Sequence, residues 1–252
     1  MTIPGMFINS MPKSGSMYIW KSLSSGLGVP CVRISLSHFV KHDCVVEKWA
    51  RRFSKEANQI AQQHLPPARH NLALLKQCGI DRIVVHLRDP RQIVVSRLLY
   101  YENVDVSKGD IELALLDMEV PFEDPYDEYM SLSFEEKINC HIKYSLPMLV
   151  SWILGWVKVA EDTRSGFRIL LTRFEDMKSN PSSFFGSILK FYDVDETFWR
   201  QPDYRPKEHF RKGAIDEWRE VLSPVQIENC NEIIPPWLFE KFVWKIIKRY
   251  WH

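Results

Sequence analysis

Residues 6–20 read MFINSMPKSGSMYIW: an apolar run, then Pro-Lys-Ser-Gly-Ser, then a stretch with helical character. A strand that ends in such a loop and opens a helix forms an anion site. The first N–H groups of the helix have no partner within it and carry the positive end of its dipole. Lys13 adds a full positive charge, and Gly15 allows backbone to approach a phosphate with no side chain between them. The loop therefore predicts a phosphorylated ligand. It is not a Walker A loop, which needs G-x-x-x-x-G-K-[ST]; here Lys13 precedes Gly15, and the only earlier glycine, Gly5, does not fit the spacing.

A second segment repeats the strand-then-polar-turn-then-helix order. Residues 82–101 read RIVVHLRDPRQIVVSRLLYY, an apolar run followed by Arg88-Asp89-Pro90, and Pro is favoured in a first helical turn. The coarse pattern is strand at 6–11, helix at 16–26, strand at 82–87 and helix at 90–101. A mainly helical middle follows, then strand at 167–173 and helix at 181–191. This alternation predicts an α/β fold, a central mainly parallel sheet flanked by helices, with ligands at the C-terminal ends of the strands. Lys13 and Arg88 both fall just past such ends. The chain has 252 residues, no repeat and no Pro/Gly/Ser linker, so a single domain spanning 1–252 is the expectation.

Taken in chain order, these segments resemble those of the PAPS-dependent sulfotransferases of the cytosolic, small-molecule type. PKSGS resembles their 5′-phosphosulfate loop PKSGTTW, with Ser16 and Met17 for the two threonines and Tyr18 for the tryptophan. Arg88 and Ser96 have the spacing of the family's 3′-phosphate segment, in which a guanidinium fork and a hydroxyl grip one phosphate. HFRKGAIDEW at 209–218 resembles the RKGxxGDW element that closes over the nucleotide; Arg211, Lys212, Gly213 and Trp218 match, while Asp216-Glu217 replace Gly-Asp. Residues 170–194 resemble the YEDLKxNP stretch, with Phe174 for the tyrosine, either supporting the adenine region or packing in the core. QQHLP at 62–66 takes the place of K-T-H-L-P, whose histidine is the catalytic base.

The resemblance implies in-line transfer of a sulfuryl group from PAPS, leaving PAP, to a hydroxyl or amine of a small molecule. His64 is then the base, since an imidazole titrates near the working pH, with His70 as fallback. Lys13 stabilises the leaving phosphate oxygen, assisted by Ser14 and the backbone of Gly15, Ser16 and Met17, and Tyr18 stacks on adenine. Arg88, Ser96, Arg211, Lys212 and Gly213 hold the 3′-phosphate. His86, on the strand face of Val84 and Arg88, reads as a structural or supporting residue. Two other classes stay open: a non-catalytic PAP/PAPS-binding module, favoured by Gln62, Met17 and the altered Asp216-Glu217 pair, and a nucleotide-dependent phosphotransferase, opposed by the absence of a Walker A pattern and of an obvious Mg²⁺-binding acidic motif.

The formal net charge is +1, yet residues 102–136 hold twelve acidic side chains against Lys108 alone, so the remainder carries +12. That suits a polyanionic donor without a focused nucleic-acid footprint, and no nucleic acid partner is expected. The acidic segment follows the Arg88–Ser96 stretch, where the family builds its acceptor pocket. It predicts a cationic acceptor, or else a solvated loop that aids solubility. Five scattered cysteines without C-x-x-C spacing, no signal peptide and no membrane-length apolar run point to a reduced cytoplasmic protein. The apolar stretch 144–157 reads as a buried helix. His38 and His42 share a helical spacing but lack a third ligand, so no metal site is expected. In the C-terminal PPWLFEKFVWKIIKRYWH, Lys241, Lys245 and Lys248 recur at helical spacing; it reads as a packing helix, with a homodimer contact or a membrane-surface contact as alternatives.

Overall fold

The computed structural model describes residues 2–36, 40–103, 106–202 and 212–244. The first elements alternate: β1 (Met6–Ser10), α1 (Ser16–Leu27), β2 (Cys31–Val32), α2 (Glu47–Lys55), β3 (Ile60–Gln63), α3 (Arg69–Gln77) and β4 (Arg82–Leu87). Helices follow: α4 (Pro90–Asn103), α5 (Lys108–Asp117), α6 (Pro125–Ser131), α7 (Phe134–Cys140), a π-helical turn at His141–Ser145, and α8 (Leu146–Glu161). The chain returns to strand at β5 (Arg168–Arg173), then forms α9 (Phe174–Ser179) and α10 (Pro181–Phe191). Beyond a 3₁₀ turn at Glu196–Phe198 lie α11 (Trp218–Val221), α12 (Pro224–Ile233) and α13 (Pro236–Lys241). Two compact units result, residues 1–88 with 151–213, and 89–150 with 214–252.

The first unit carries the sheet, ordered β2-β3-β1-β4-β5 with every pairing parallel. All five residues of β1 and the last five of β4 are buried, as expected of central parallel strands covered on both faces. The apolar face of α1 (Ile19, Leu23) and of α10 (Phe184, Phe185, Ile188, Leu189) packs on Met6, Ile8, Ile60 and Val84. Tyr192, just past α10, is fully buried and donates its hydroxyl proton to this strand layer at the Phe7 carbonyl, 2.9 Å away. The order of winding reverses at β1: β3 lies on one side of it and β4 on the other. Such a switch point opens a crevice outside the strand C-termini, because the connections leave in opposite directions.

The expected elements at 6–11, 16–26, 82–87, 90–101, 167–173 and 181–191 all form, with ends shifted by at most two residues. Two strands were not anticipated. β2 is two residues long, and β3 reads Ile-Ala-Gln-Gln, too polar to look like a buried strand although all four residues are buried.

In the second unit α4 is buried almost all round, from Pro90 to Val95 and at Arg97 and Leu98, while Ser96 is half-buried. Arg91 is fully buried; its guanidinium meets Asp89 at 2.6 Å and lies 3.9 Å from the Trp218 ring and 4.7 Å from the Phe239 ring. Within the acidic segment, several carboxylates have local structural work. Ser107, Asp124 and Ser133 cap α5, α6 and α7, and Glu136 closes a capping box on Ser133. Glu102 pairs with the buried Lys137 at 2.8 Å. The apolar stretch at 144–157 forms part of α8, with Trp152, Ile153, Trp156 and Val157 buried and Ser151 exposed. No helix among the described residues is long and apolar enough to cross a membrane. Of the C-terminal lysines, Lys241 ends α13, whereas Lys245 and Lys248 lie outside the described residues, as do His38 and Arg211.

Candidate active site

The loop from Met11 to Gly15 joins β1 to α1 at the switch point of the first unit. Its backbone is unusual: Lys13 has φ +58° and Gly15 +83°, with Ser14 between them at negative φ. Alternation of this kind turns successive N–H groups toward a common point, the geometry of an anion-binding nest. The carbonyls are correspondingly held by protein donors. Ser14 Oγ donates to the Met11 oxygen at 2.6 Å, Arg88 donates to the Lys13 oxygen, and His86 Nε2 meets the Ser14 oxygen at 3.0 Å. At the mouth of α1, Gly15 is the N-cap, no side chain caps the helix and no acidic residue sits in its first turn. The helices of the acidic segment, by contrast, have side-chain caps and acidic first turns. The first amides of α1 are thus left for an external acceptor.

Gly15 is also a packing requirement. A Cβ there would stand 2.9 Å from Met177 Cε and 3.3 Å from the Phe174 ring. Phe174 opens α9, is buried, and lies beneath Arg88 with the guanidinium carbon 4.0 Å from the ring centroid. Its ring orients Arg88 and backs the loop, the packing use of the residue. Tyr18 is half-buried and meets Phe185 edge to face at 5.9 Å.

His64 follows β3 directly and is 8% exposed. Its Nδ1 lies 2.5 Å from the Ser10 carbonyl oxygen. A carbonyl only accepts, so Nδ1 carries the proton, and the neutral ring has its basic lone pair on Nε2. The segment is anchored on the next peptide. The Asn9 side chain exchanges two hydrogen bonds with the backbone of Leu65, at 2.8 and 2.9 Å, and the indoles of Trp152 and Trp156 donate to the Leu65 oxygen at 2.9 Å. Gln62, where the family motif has lysine, is buried and donates to Ser10 Oγ at 3.0 Å.

The first unit thus gathers Lys13, Ser14, Gly15, His64, Arg88 and Phe174 at one edge of its sheet. Lys212 and Gly213 belong to the same unit; Lys212 is exposed and Gly213 has φ +60°. Ser96 lies on α4 in the second unit. Sequence reading passed over Asn9, Trp152, Trp156 and Thr172. An Asn inside the apolar run of β1 was the available signal, since a buried amide must find partners. His86 is fully buried, and burial pushes its ring down to about 3, so it stays neutral. All five cysteines are free thiols.

A parallel sheet with a strand–loop–helix of this geometry at its switch point is the architecture of proteins that bind nucleotides or other phosphate-bearing ligands there. Residues 4–202 match the family model of the sulfotransferase domain, and the chain belongs to that family, whose sulfuryl donor is PAPS. Solved structures share the fold. Mouse sulfotransferase SULT7A1, crystallised with PAP, is 16% identical with a TM-score of 0.60, over 96% of this chain and 85% of that one. A sulfotransferase from Alicyclobacillus acidocaldarius is 12% identical with a TM-score of 0.52, over 98% of each chain. The sulfotransferase domain of the curacin biosynthetic pathway is 12% identical with a TM-score of 0.54, over 98% of this chain and all of that one. Comparison with curated proteins gave no match.

Proposed function

We propose that the protein transfers the sulfuryl group of PAPS to a hydroxyl or amine of a small molecule, with His64 as base and Lys13 at the leaving group. The observation that carries this reading is the PKSGS loop itself, with three carbonyls held by protein donors beside Arg88 and an uncapped helix start. Such a loop fits a phosphate ester, because it offers several N–H donors while the Met11, Lys13 and Ser14 carbonyls are turned to protein donors. PAPS supplies an activated sulfuryl group when bound.

The chain's residues have distinct tasks. Lys13 places a full charge at the leaving phosphate oxygen, and the amides of Gly15, Ser16 and Met17 with Ser14 surround the same phosphate. His64 takes the acceptor proton on Nε2, because Nδ1 is held protonated against Ser10. Arg88, stacked on Phe174, recognises the 3′-phosphate; Ser96, Arg211, Lys212 and Gly213 join it on the motif match alone. Tyr18 serves the adenine. The protein forms no covalent intermediate, so positioning of the two substrates supplies much of the rate.

The acceptor reading rests on charge. The 102–136 segment stays strongly negative despite its helix caps, which favours a cationic small molecule over an anionic one. Five scattered cysteines, all free thiols, support a reducing, cytoplasmic setting.

Turnover of labelled PAPS against a panel of matched neutral, cationic and anionic alcohols and amines tests the whole reading. Transfer is expected, fastest to cations. Equal rates on neutral and cationic acceptors would remove the charge preference. PAP-induced thermal stabilisation without any turnover would leave a binding module, and stabilisation by ATP in place of PAP would point to a phosphotransferase.

A further inference from the structure

His86 occupies the penultimate position of β4, where a central parallel strand calls for an aliphatic side chain, and it is completely buried. Both ring nitrogens are engaged. Nε2 is 3.0 Å from the Ser14 carbonyl oxygen and Nδ1 is 2.9 Å from Thr172 Oγ1 on β5; the ring also meets Phe184 edge to face at 5.4 Å. The Ser14 oxygen can only accept, so Nε2 carries the hydrogen. Nδ1 must then accept from the Thr172 hydroxyl. The direction of both bonds is thereby fixed: hydroxyl to ring, ring to carbonyl.

The consequence lies in the peptide joining Ser14 to Gly15. A trans peptide is planar, with its N–H pointing opposite to its C=O. With the Ser14 oxygen drawn onto His86, the Gly15 N–H must point away from the sheet interior, into the loop's concave side. Arg88 does the same for the preceding peptide by holding the Lys13 oxygen, and so aims the Ser14 N–H. The Ser14–Gly15 peptide most needs such a hold, because glycine tolerates the backbone angles of either flipped state. A flip would turn the amide inward and present a carbonyl to the phosphate.

We propose that His86 is a positioning residue for the sulfuryl donor: through its hydrogen bond to the Ser14 carbonyl it keeps the Gly15 amide aimed at the leaving phosphate. The ring is suited to this because it is neutral. Its deep burial and the neighbouring Arg88 charge both disfavour protonation, so it offers one donor and one acceptor rather than two donors. A protonated ring would compete with the Thr172 hydroxyl and reverse its orientation. His86 acts on the donor only through the loop, by its bond to the Ser14 carbonyl. The inference rests on the PKSGS loop being the PAPS site.

The test compares His86→Gln with His86→Leu in the full chain. Glutamine extends an amide N–H to about where Nε2–H lies, whereas leucine fills the space without a donor. Calorimetric PAP binding and kcat and KM for PAPS are read for each, with urea unfolding in parallel. His86→Leu is expected to weaken PAP binding and lower kcat/KM for PAPS by roughly ten- to a hundredfold, the scale of one lost hydrogen bond to a buried carbonyl. His86→Gln is expected to stay within about threefold of wild type on both, as the donor is kept. Equal impairment of the two variants would overturn the proposal, since volume rather than the hydrogen bond would then matter; wild-type behaviour of His86→Leu would overturn it equally. If His86→Leu does not fold, Thr172→Val decides. That isosteric change removes the hydroxyl orienting the ring, and a PAP Kd unchanged from wild type would refute the relay, whereas a rise of about threefold or more supports it. Wild-type protein that fails to bind PAP overturns the donor-site reading and this proposal together; PAP binding by wild type that His86→Leu leaves intact overturns this proposal alone.

Discussion

Replacing Gly15 with alanine separates the backbone demand of the loop from its packing demand. Gly15 has φ +83°, and a left-handed backbone costs an L-residue about 1–2 kcal/mol. The new Cβ would also stand 2.9 Å from Met177 Cε and 3.3 Å from the Phe174 ring. Met177 can yield, since its Cε is the free end of a flexible side chain. Phe174 can yield only if Arg88, which lies on it at 4.0 Å, moves too. The overpacking then sits at the lower end of the usual range, about 1 kcal/mol, for a total near 2–3 kcal/mol. Gly28, the C-cap of α1, is the matched control: φ is +67° and nothing lies within 4 Å of its would-be Cβ. Gly28→Ala should therefore cost only the backbone contribution, about 1–2 kcal/mol, and leave PAP affinity untouched. Gly15→Ala should cost more and weaken PAP binding at least tenfold or so through the displaced Arg88. Urea unfolding with PAP calorimetry on both variants measures each part. Equal destabilisation of the two, with PAP affinity unchanged in Gly15→Ala, would refute the reasoning.

Other expectations address the chemistry and the second unit. His64→Ala should lose at least about two decades of kcat with little change in PAP affinity, by steady-state kinetics and calorimetry; near-normal turnover would move the base to His70 or an acidic residue. Lys13→Ala should lower kcat far more than it weakens nucleotide binding, whereas Arg88→Ala should chiefly raise KM for PAPS; the reverse split would interchange their roles. His86 and His141 are each buried and held near 3, below the unfolded value of about 6.5. Between these values the unfolded chain binds protons that the folded chain refuses, so stability should fall as pH drops from about 6.5 toward 3. The slope is up to about 1.4 kcal/mol per pH unit for each histidine, and His86→Gln should make it shallower in acid-range denaturation curves. Asp89→Ala should destabilise by about 3–5 kcal/mol in urea unfolding, because it strips the fully buried Arg91 of a carboxylate; a loss below about 1 kcal/mol would contradict the pairing.

The amino-acid sequence alone was enough to identify the sulfotransferase resemblance, the α/β alternation and the PKSGS loop. Those features are local: apolar period, a Pro opening a helix, and a Lys-Ser-Gly run after a strand declare themselves within a dozen or so residues. β3 escaped because a strand buried by its neighbours need not look apolar itself; Gln62 donates there to Ser10 Oγ, and the Gln63 side-chain oxygen accepts from Ser35. The acidic segment shows the converse. Its charge was plain from the sequence, but only the structure shows that Asp124 and Glu136 also cap helices.

The same division holds at the candidate site. Lys13, Gly15, His64 and Arg88 could be picked out by type and spacing. What the sequence could not supply was their orientation. That depends on partners 50 or more positions away: Ser10 on His64 (|i−j| = 54), Asn9 on Leu65 (56), His86 on Ser14 (72) and Arg88 on Lys13 (75). Parallel strands force such distances, because neighbours in the sheet are separated by whole crossovers. Which way a peptide points, and which nitrogen of a histidine keeps its proton, is decided by those remote contacts and appears only when the sheet is assembled.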